Sequence, residues 1–222
     1  MDINSVKTIF FDVGDTLYTS KEMEDSYPNK LYELISSDKN VSLDEAKKIL
    51  KNSQDSLEGK IPHVTKVAAM SNLGYSRAQV HEAFCKVTPK EYLKEDSKLD
   101  AILENLSKKY SLGIISNFKC SHLTEILDSL KININSFSHF VTEENVTNIK
   151  PDKEPFLKAI ELSTNNANEC VYVADSISKD LKPAKSVGMN TIWINKKPLH
   201  ADQIQNVDVQ LEEIYQISGL FN

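Results

Sequence analysis

The chain has 222 residues and a formal net charge of -6, and Arg77 is its one arginine. That balance excludes the concentrated positive surface a nucleic-acid polymer needs, and a lone arginine excludes paired guanidinium clamps. Hydrophobic residues make up 40%, and the N-terminal apolar run is too short for a signal peptide or a membrane span, so a soluble cytoplasmic protein without membrane partners is expected.

The length suits one α/β domain with an insertion. Cys85, Cys120 and Cys170 are odd in number and lack metal-ligand spacing, so they are expected to be free thiols in a reducing compartment.

The first element is the most informative. Residues 7–17 read KTIFFDVGDTL. The apolar run Ile9-Phe10-Phe11 ends in Asp12 and a glycine-bearing turn, the pattern of a buried strand over 6–12 presenting a carboxylate at its C-terminal end. From 19 to 96 no strand pattern appears. Three capping-box patterns begin at Ser42, Ser76 and Thr88, and the spacing of Ala46, Ile49 and Leu50, then of Val80, Ala83, Phe84 and Val87, fits amphipathic helices. An all-helical insertion is therefore predicted, with hinges near Thr19-Ser20 and Asp96-Ser97. This gives domains 1–18 with 97–222, and 19–96.

Beyond the insertion, helix and strand alternate. Helices are predicted over 99–109, 122–130, 154–162 and 178–187, the last stopped by Gly188. Strands are predicted over 112–116, 170–175 and 190–194, with a weaker one over 138–142. Their apolar, β-branched character without alternation is that of parallel strands covered on both faces, so the core reads as doubly wound α/β.

Taken singly, the polar residues at these strand ends have ordinary explanations. Asp12 can end a strand at a turn, Ser116 and Asn117 can be loop residues, Lys150 a solvated lysine, and Asp175 and Asp180 helix-flanking residues. Together they form an ordered set: Asp12 in FFDVGDTL, Ser116 in GIISN, Lys150 in NIKPD, and Asp175 with Asp180 in VYVADSISKD. This set resembles the haloacid dehalogenase-like hydrolase superfamily over essentially the whole chain, including a helical cap inserted after the first core strand.

The resemblance implies a Rossmann-like core and a small helical cap that chooses the substrate. It implies a magnesium-dependent phosphatase of a small phosphorylated metabolite, and the cap's small size suits a small molecule. Asp12 would attack phosphorus and form an aspartyl-phosphate. Asp12, the backbone carbonyl of Gly14, and Asp175 would hold Mg²⁺. Ser116, Asn117 and Lys150 would contact the phosphoryl group, and Asp180 would orient Lys150 or a metal-bound water. Ala174 stands where a glycine is usual. Tyr27, His63, Lys66 and Arg77 are candidate pocket residues of the cap.

The departure is at Gly14. The phosphatases of the superfamily carry there an aspartate that protonates the leaving alcohol and then activates water. Here an aspartate follows one place later, and Asp15 is the candidate substitute. Two alternatives follow. One is the dehalogenase branch, whose departing halide needs no proton. Asp175 opposes it, since that branch carries a neutral residue there, and Arg77 lies late for a halide-binding arginine. The other is a low-activity or non-catalytic member that binds a phosphorylated ligand. A Schiff-base variant using Lys60 or Lys66 is a further possibility. The sequence leaves oligomeric state and substrate open.

Overall fold

The computed structural model describes residues 1–61 and 64–221. The chain divides into two compact units, Met1–Thr19 with Leu93–Asn222, and Ser20–Tyr92. Helices in chain order are α1 Lys21–Lys39, α2 Leu43–Leu57, α3 Lys66–Asn72, α4 Arg77–Phe84, α5 Ser97–Ser107, α6 Cys120–Leu130, α7 Glu154–Ser163, α8 Lys182–Ser186 and α9 Ile217–Leu220. Strands are β1 Thr8–Phe11, β2 Ser111–Ile115, β3 His139–Val141, β4 Cys170–Ala174, β5 Asn190–Ile194 and β6 Val209–Leu211.

Among the described residues, the first unit carries a six-stranded sheet in the order β3-β2-β1-β4-β5-β6, with every neighbouring pair parallel. The central strands are β1 and β4, and each is buried at every position, as their unbroken apolar sequences require. The chain steps outward from β1 to β2 and β3, then returns to the other side of β1 and steps outward again. The direction reverses between β1 and β4, and open α/β sheets place a crevice at the C-terminal strand ends of such a reversal.

The ladder continues one residue past the strands. The Asp12 amide donates to the Val173 carbonyl at 2.9 Å, and the Ser116 amide to Val141 at 2.8 Å. Both backbones are therefore fixed by the sheet while their side chains stand at its rim. In β2, a Cβ at Gly113 would collide with the Phe10 ring and lie 3.1 Å from the His139 Cβ, so glycine there admits the aromatic ring of the neighbouring strand.

The second unit is helical. Leu31, Ile35, Ala46, Leu50, Met70 and Val80 form its core, and Tyr27 packs edge-on against Phe84 at 5.6 Å between ring centroids. Ser42 and Ser76 make complete capping boxes with Glu45 and Gln79. Thr88 does not: its side chain makes no cap bond, and only a 3₁₀ turn, Pro89–Glu91, follows.

Helix α1 runs through Pro28. Two other elements differ from the sequence expectation. Strand β6, pairing with β5, has no counterpart among the predicted strands. The helix predicted over 178–187 is a π-helical turn, Ile177–Leu181, followed by α8. Proline has no N–H to continue an α ladder, and Pro183 sits in the first turn of α8.

Candidate active site

The sheet brings the predicted residues together at the reversal point. Asp12 follows β1, Ser116 follows β2, Asp175 follows β4, and Asp180 lies in the π-helical turn beyond it. Ligand-capable oxygens of Asp12, Asp175 and Asp180 lie within 4.8 Å of one another. Lys150 reaches into this cluster, its side chain 6% exposed. Its Nζ donates to Asp12 Oδ1 at 2.6 Å, Asp180 Oδ1 at 2.7 Å and Tyr172 Oη at 2.8 Å.

Backbone clamps set these positions. The Asp175 amide donates to Thr16 Oγ1 at 3.1 Å, while its carbonyl accepts from Trp193 Nε1 at 2.7 Å, so the turn after β1 and the side chain from β5 hold it on two sides. Asn117 faces the Lys150 backbone: its Nδ2 donates to the Lys150 carbonyl at 3.0 Å, and its Oδ1 accepts from the Lys150 amide at 2.9 Å. Ser116 Oγ accepts from the Phe118 amide at 3.2 Å. The Ser176 side chain caps the π-helical turn by accepting from the Lys179 amide at 3.3 Å.

Electrostatically the cluster is short of positive charge. Three carboxylates face one ammonium, which leaves two formal negative charges. Burial, with the charges of Asp12 and Asp180, pushes the Asp175 carboxyl up to about 7. Burial likewise raises Asp12 to about 6, although the Lys150 charge pulls the other way. Burial disfavours the Lys150 ammonium, but Asp12 and Asp180 outweigh it and hold Lys150 above the ordinary lysine range.

The neighbours of Asp12 divide. Gly14 forms an isolated bridge with Tyr18 and is not among the glycines with positive φ. Asp15 is exposed in the following turn, with a positive φ of 53°, and is outside the carboxylate cluster. Desolvation raises its pKa, and its charge contributes to the rise at Asp175. In the second unit, Tyr27 is buried, Lys66 opens α3 and is exposed, and Arg77 opens α4. His63 lies outside the described residues.

Two participants were not anticipated from sequence. Thr16 is buried and tied to the Asp175 backbone. Tyr172 is fully buried in β4, with its hydroxyl bonded to both Lys150 and Asp180. A signal existed for Tyr172: a tyrosine inside an otherwise apolar central strand must find a partner for its hydroxyl.

A lysine-braced carboxylate cluster at the reversal point of a parallel sheet marks an α/β enzyme. Residues 9–194 match the family model described as haloacid dehalogenase-like hydrolase, and the chain belongs to that family. It is 26% identical over 230 residues to a glyceraldehyde 3-phosphate phosphatase of Methanocaldococcus jannaschii, with 96% of each chain covered. The fold is similar to a phosphatase of the same family from Thermococcus onnurineus, with a TM-score of 0.70, 22% identity and 98% of each chain covered. It is also similar to the putative hydrolase YfnB of Bacillus subtilis, solved with magnesium, at a TM-score of 0.64 and 20% identity, covering 98% of this chain and 99% of that one.

Proposed function

We propose that the protein is a cytoplasmic, magnesium-dependent phosphatase of a small phosphorylated metabolite, with Asp12 as nucleophile. The observation that carries this reading is the 2.6 Å contact of Lys150 with Asp12 inside a three-carboxylate cluster at the sheet's reversal point. Its relation to a phosphatase across 96% of the chain supports the reaction class.

The cluster fits a hard divalent cation. Three carboxylates around one ammonium, with the Asp175 carboxyl raised to about 7 by burial and by the charges of Asp12 and Asp180, suit a site that takes up a cation on oxygen ligands. Asp12, Asp175 and the Gly14 carbonyl would hold Mg²⁺, which when bound supplies positive charge to neutralise the approaching phosphoryl dianion. Asp180, bonded to Lys150 and Tyr172, is the partner of the lysine in this arrangement.

This chain's residues then divide the work. Lys150 favours the ionised carboxylate of Asp12 and fixes its direction. An Asp12 oxygen forms a bond to phosphorus as the bond to the leaving oxygen breaks, and water later displaces the carboxylate from phosphorus. The Ser116 oxygen already accepts from the Phe118 amide, which aims its own hydrogen elsewhere, toward a phosphoryl oxygen in this reading. Asn117 holds the Lys150 backbone in place and reaches substrate only through its remaining amide hydrogen. The Ser20–Tyr92 unit is the cap in this reading, choosing the substrate.

Gly14 supplies no acid for the leaving group, and Asp15 is exposed outside the cluster. In this reading the leaving group departs with a proton from water or with none. Substrates with acidic leaving groups, such as acyl phosphates and nitrophenyl esters, are favoured over alkyl phosphates. Hydrolysis of p-nitrophenyl phosphate with Mg²⁺ and with EDTA tests the reading. Turnover that is unaffected by EDTA or by Asp12→Asn would overturn it.

A further inference from the structure

The Lys150 ammonium has three hydrogens, and the structure offers it three acceptors: Asp12 Oδ1, Asp180 Oδ1 and Tyr172 Oη, all between 2.6 and 2.8 Å. Two of these acceptors are also bonded to each other. Tyr172 Oη donates to Asp180 Oδ1 at 3.0 Å, closing a triangle of Nζ, Oη and Oδ1. A hydroxyl has one hydrogen. With Lys150 donating to the tyrosine oxygen, that hydrogen goes to the Asp180 carboxylate at 3.0 Å in preference to the Ile115 carbonyl at 3.4 Å.

The tyrosine is anchored more firmly than the groups it touches. It lies in β4, a central strand paired on both sides, and its side chain is fully buried. Phe156 packs edge-on against its ring at 5.2 Å between centroids. A lysine ammonium, by contrast, is a rotatable group on a flexible four-carbon stem. Two of its hydrogens are fixed by the triangle, so the third has one direction left, and along it lies Asp12.

We propose that Tyr172 is a positioning residue that acts through Lys150. Its hydroxyl holds the ammonium, together with Asp180, so that the remaining hydrogen is aimed at the Asp12 carboxylate. This rests on the proposed role of Asp12 as nucleophile. Mere packing would require the ring only, and phenylalanine would satisfy it. The structure shows a hydroxyl with both its acceptor and its donor function engaged inside the charged cluster.

The test compares wild type with Tyr172→Phe and Tyr172→Leu. Tyr172→Phe is expected to keep the wild-type circular dichroism spectrum and KM for p-nitrophenyl phosphate, and to lose roughly 10- to 100-fold in kcat, the scale of a misaligned reacting group. Tyr172→Leu also removes the ring and is expected to lose stability as well. A Tyr172→Phe kcat within twofold of wild type, or a loss confined to KM, would overturn the proposal. Nitrogen-15 NMR of the lysine ammonium groups gives a readout independent of activity. In wild type, Lys150 should show a slowly exchanging ammonium signal, which is lost in Tyr172→Phe. A rapidly exchanging Lys150 ammonium in wild type would overturn the proposal without any variant. If wild type shows the slow signal but no magnesium-dependent turnover, the functional reading has failed and the triangle has not.

Discussion

Replacing Asp175 with asparagine should make the metal-free protein more stable while destroying its response to magnesium. The folded-state pKa of Asp175 is about 7 against an ordinary 3.8, so ionising it inside the cluster opposes folding. The folded chain holds the proton more tightly than the unfolded one. The penalty is therefore absent below about pH 4, grows between 3.8 and about 7, and is complete above that. At about 1.4 kcal/mol per pKa unit, the upper bound is ~4 kcal/mol at pH 7.5 and ~1.5 kcal/mol at pH 5. Among the described residues, no group donates a hydrogen bond to this carboxylate, so asparagine loses no such contact. Relaxation of the neighbouring charges reduces the gain, and about half of the bound is a working value. For a chain of this size, that corresponds to a rise of ~4–8 °C in Tm at pH 7.5 and ~1–3 °C at pH 5. Calorimetry in EDTA at both pH values measures it, and a repeat with excess Mg²⁺ should raise the Tm of wild type only. A variant that melts below wild type in EDTA at pH 7.5, or gains equally at both pH values, would refute the reasoning.

Other expectations concern the neighbours. Gly14→Asp should raise turnover of alkyl phosphates by roughly 10²-fold or more and change nitrophenyl phosphate turnover far less, because only the poorer leaving group needs the acid. Parallel kcat measurements on the two substrate types check this, and equal effects on both would contradict it. Asp15→Asn should leave turnover of alkyl phosphates, the substrates that need the acid, within about twofold, since Asp15 is exposed in the turn and outside the carboxylate cluster. A large loss would restore Asp15 as the proton carrier. Gly113→Ala should destabilise by ~1–3 kcal/mol or more, because the new methyl group overlaps the Phe10 ring in the neighbouring strand, and urea unfolding would show it.

The central strands were legible because burial on both faces leaves only apolar residues. TIFF and CVYVA carry no competing pattern, and both are buried throughout. Strand β6 was not legible for the opposite reason: Val209-Gln210-Leu211 is short, lies at the sheet edge and is not fully buried. In the insertion, Ser42 and Ser76 announced their helices because a capping box is a local contact, readable within four residues. The same pattern at Thr88 carried no side-chain bond, since sequence alone does not show whether the hydroxyl will turn toward the helix. Pro28 reads as a breaker, yet α1 continues through it, and burial of Met23, Tyr27, Leu31 and Ile35 favours a continuous helix over a local break.

In the site, Asp12, Lys150, Asp175 and Asp180 could be singled out because each stands at or beyond a strand end in a recognisable motif. Their mutual distances could not, because they depend on the order of strands in the sheet. Tyr172 is hard to single out because it sits where a core residue belongs and only its hydroxyl reaches the charged cluster. Thr16 likewise reads as part of a turn, and its bond to the Asp175 amide joins residues separated by 159 positions.

If Asp12 receives the phosphoryl group, the adduct can be trapped by rapid acid quenching during turnover of a radiolabelled acyl phosphate and located by peptide mapping. The label should appear on the peptide containing Asp12, only when Mg²⁺ is present, and should be absent from Asp12→Asn, whose turnover should fall on the order of 10³-fold or more. Label on another residue, or undiminished hydrolysis by the Asp12→Asn protein, would contradict the account.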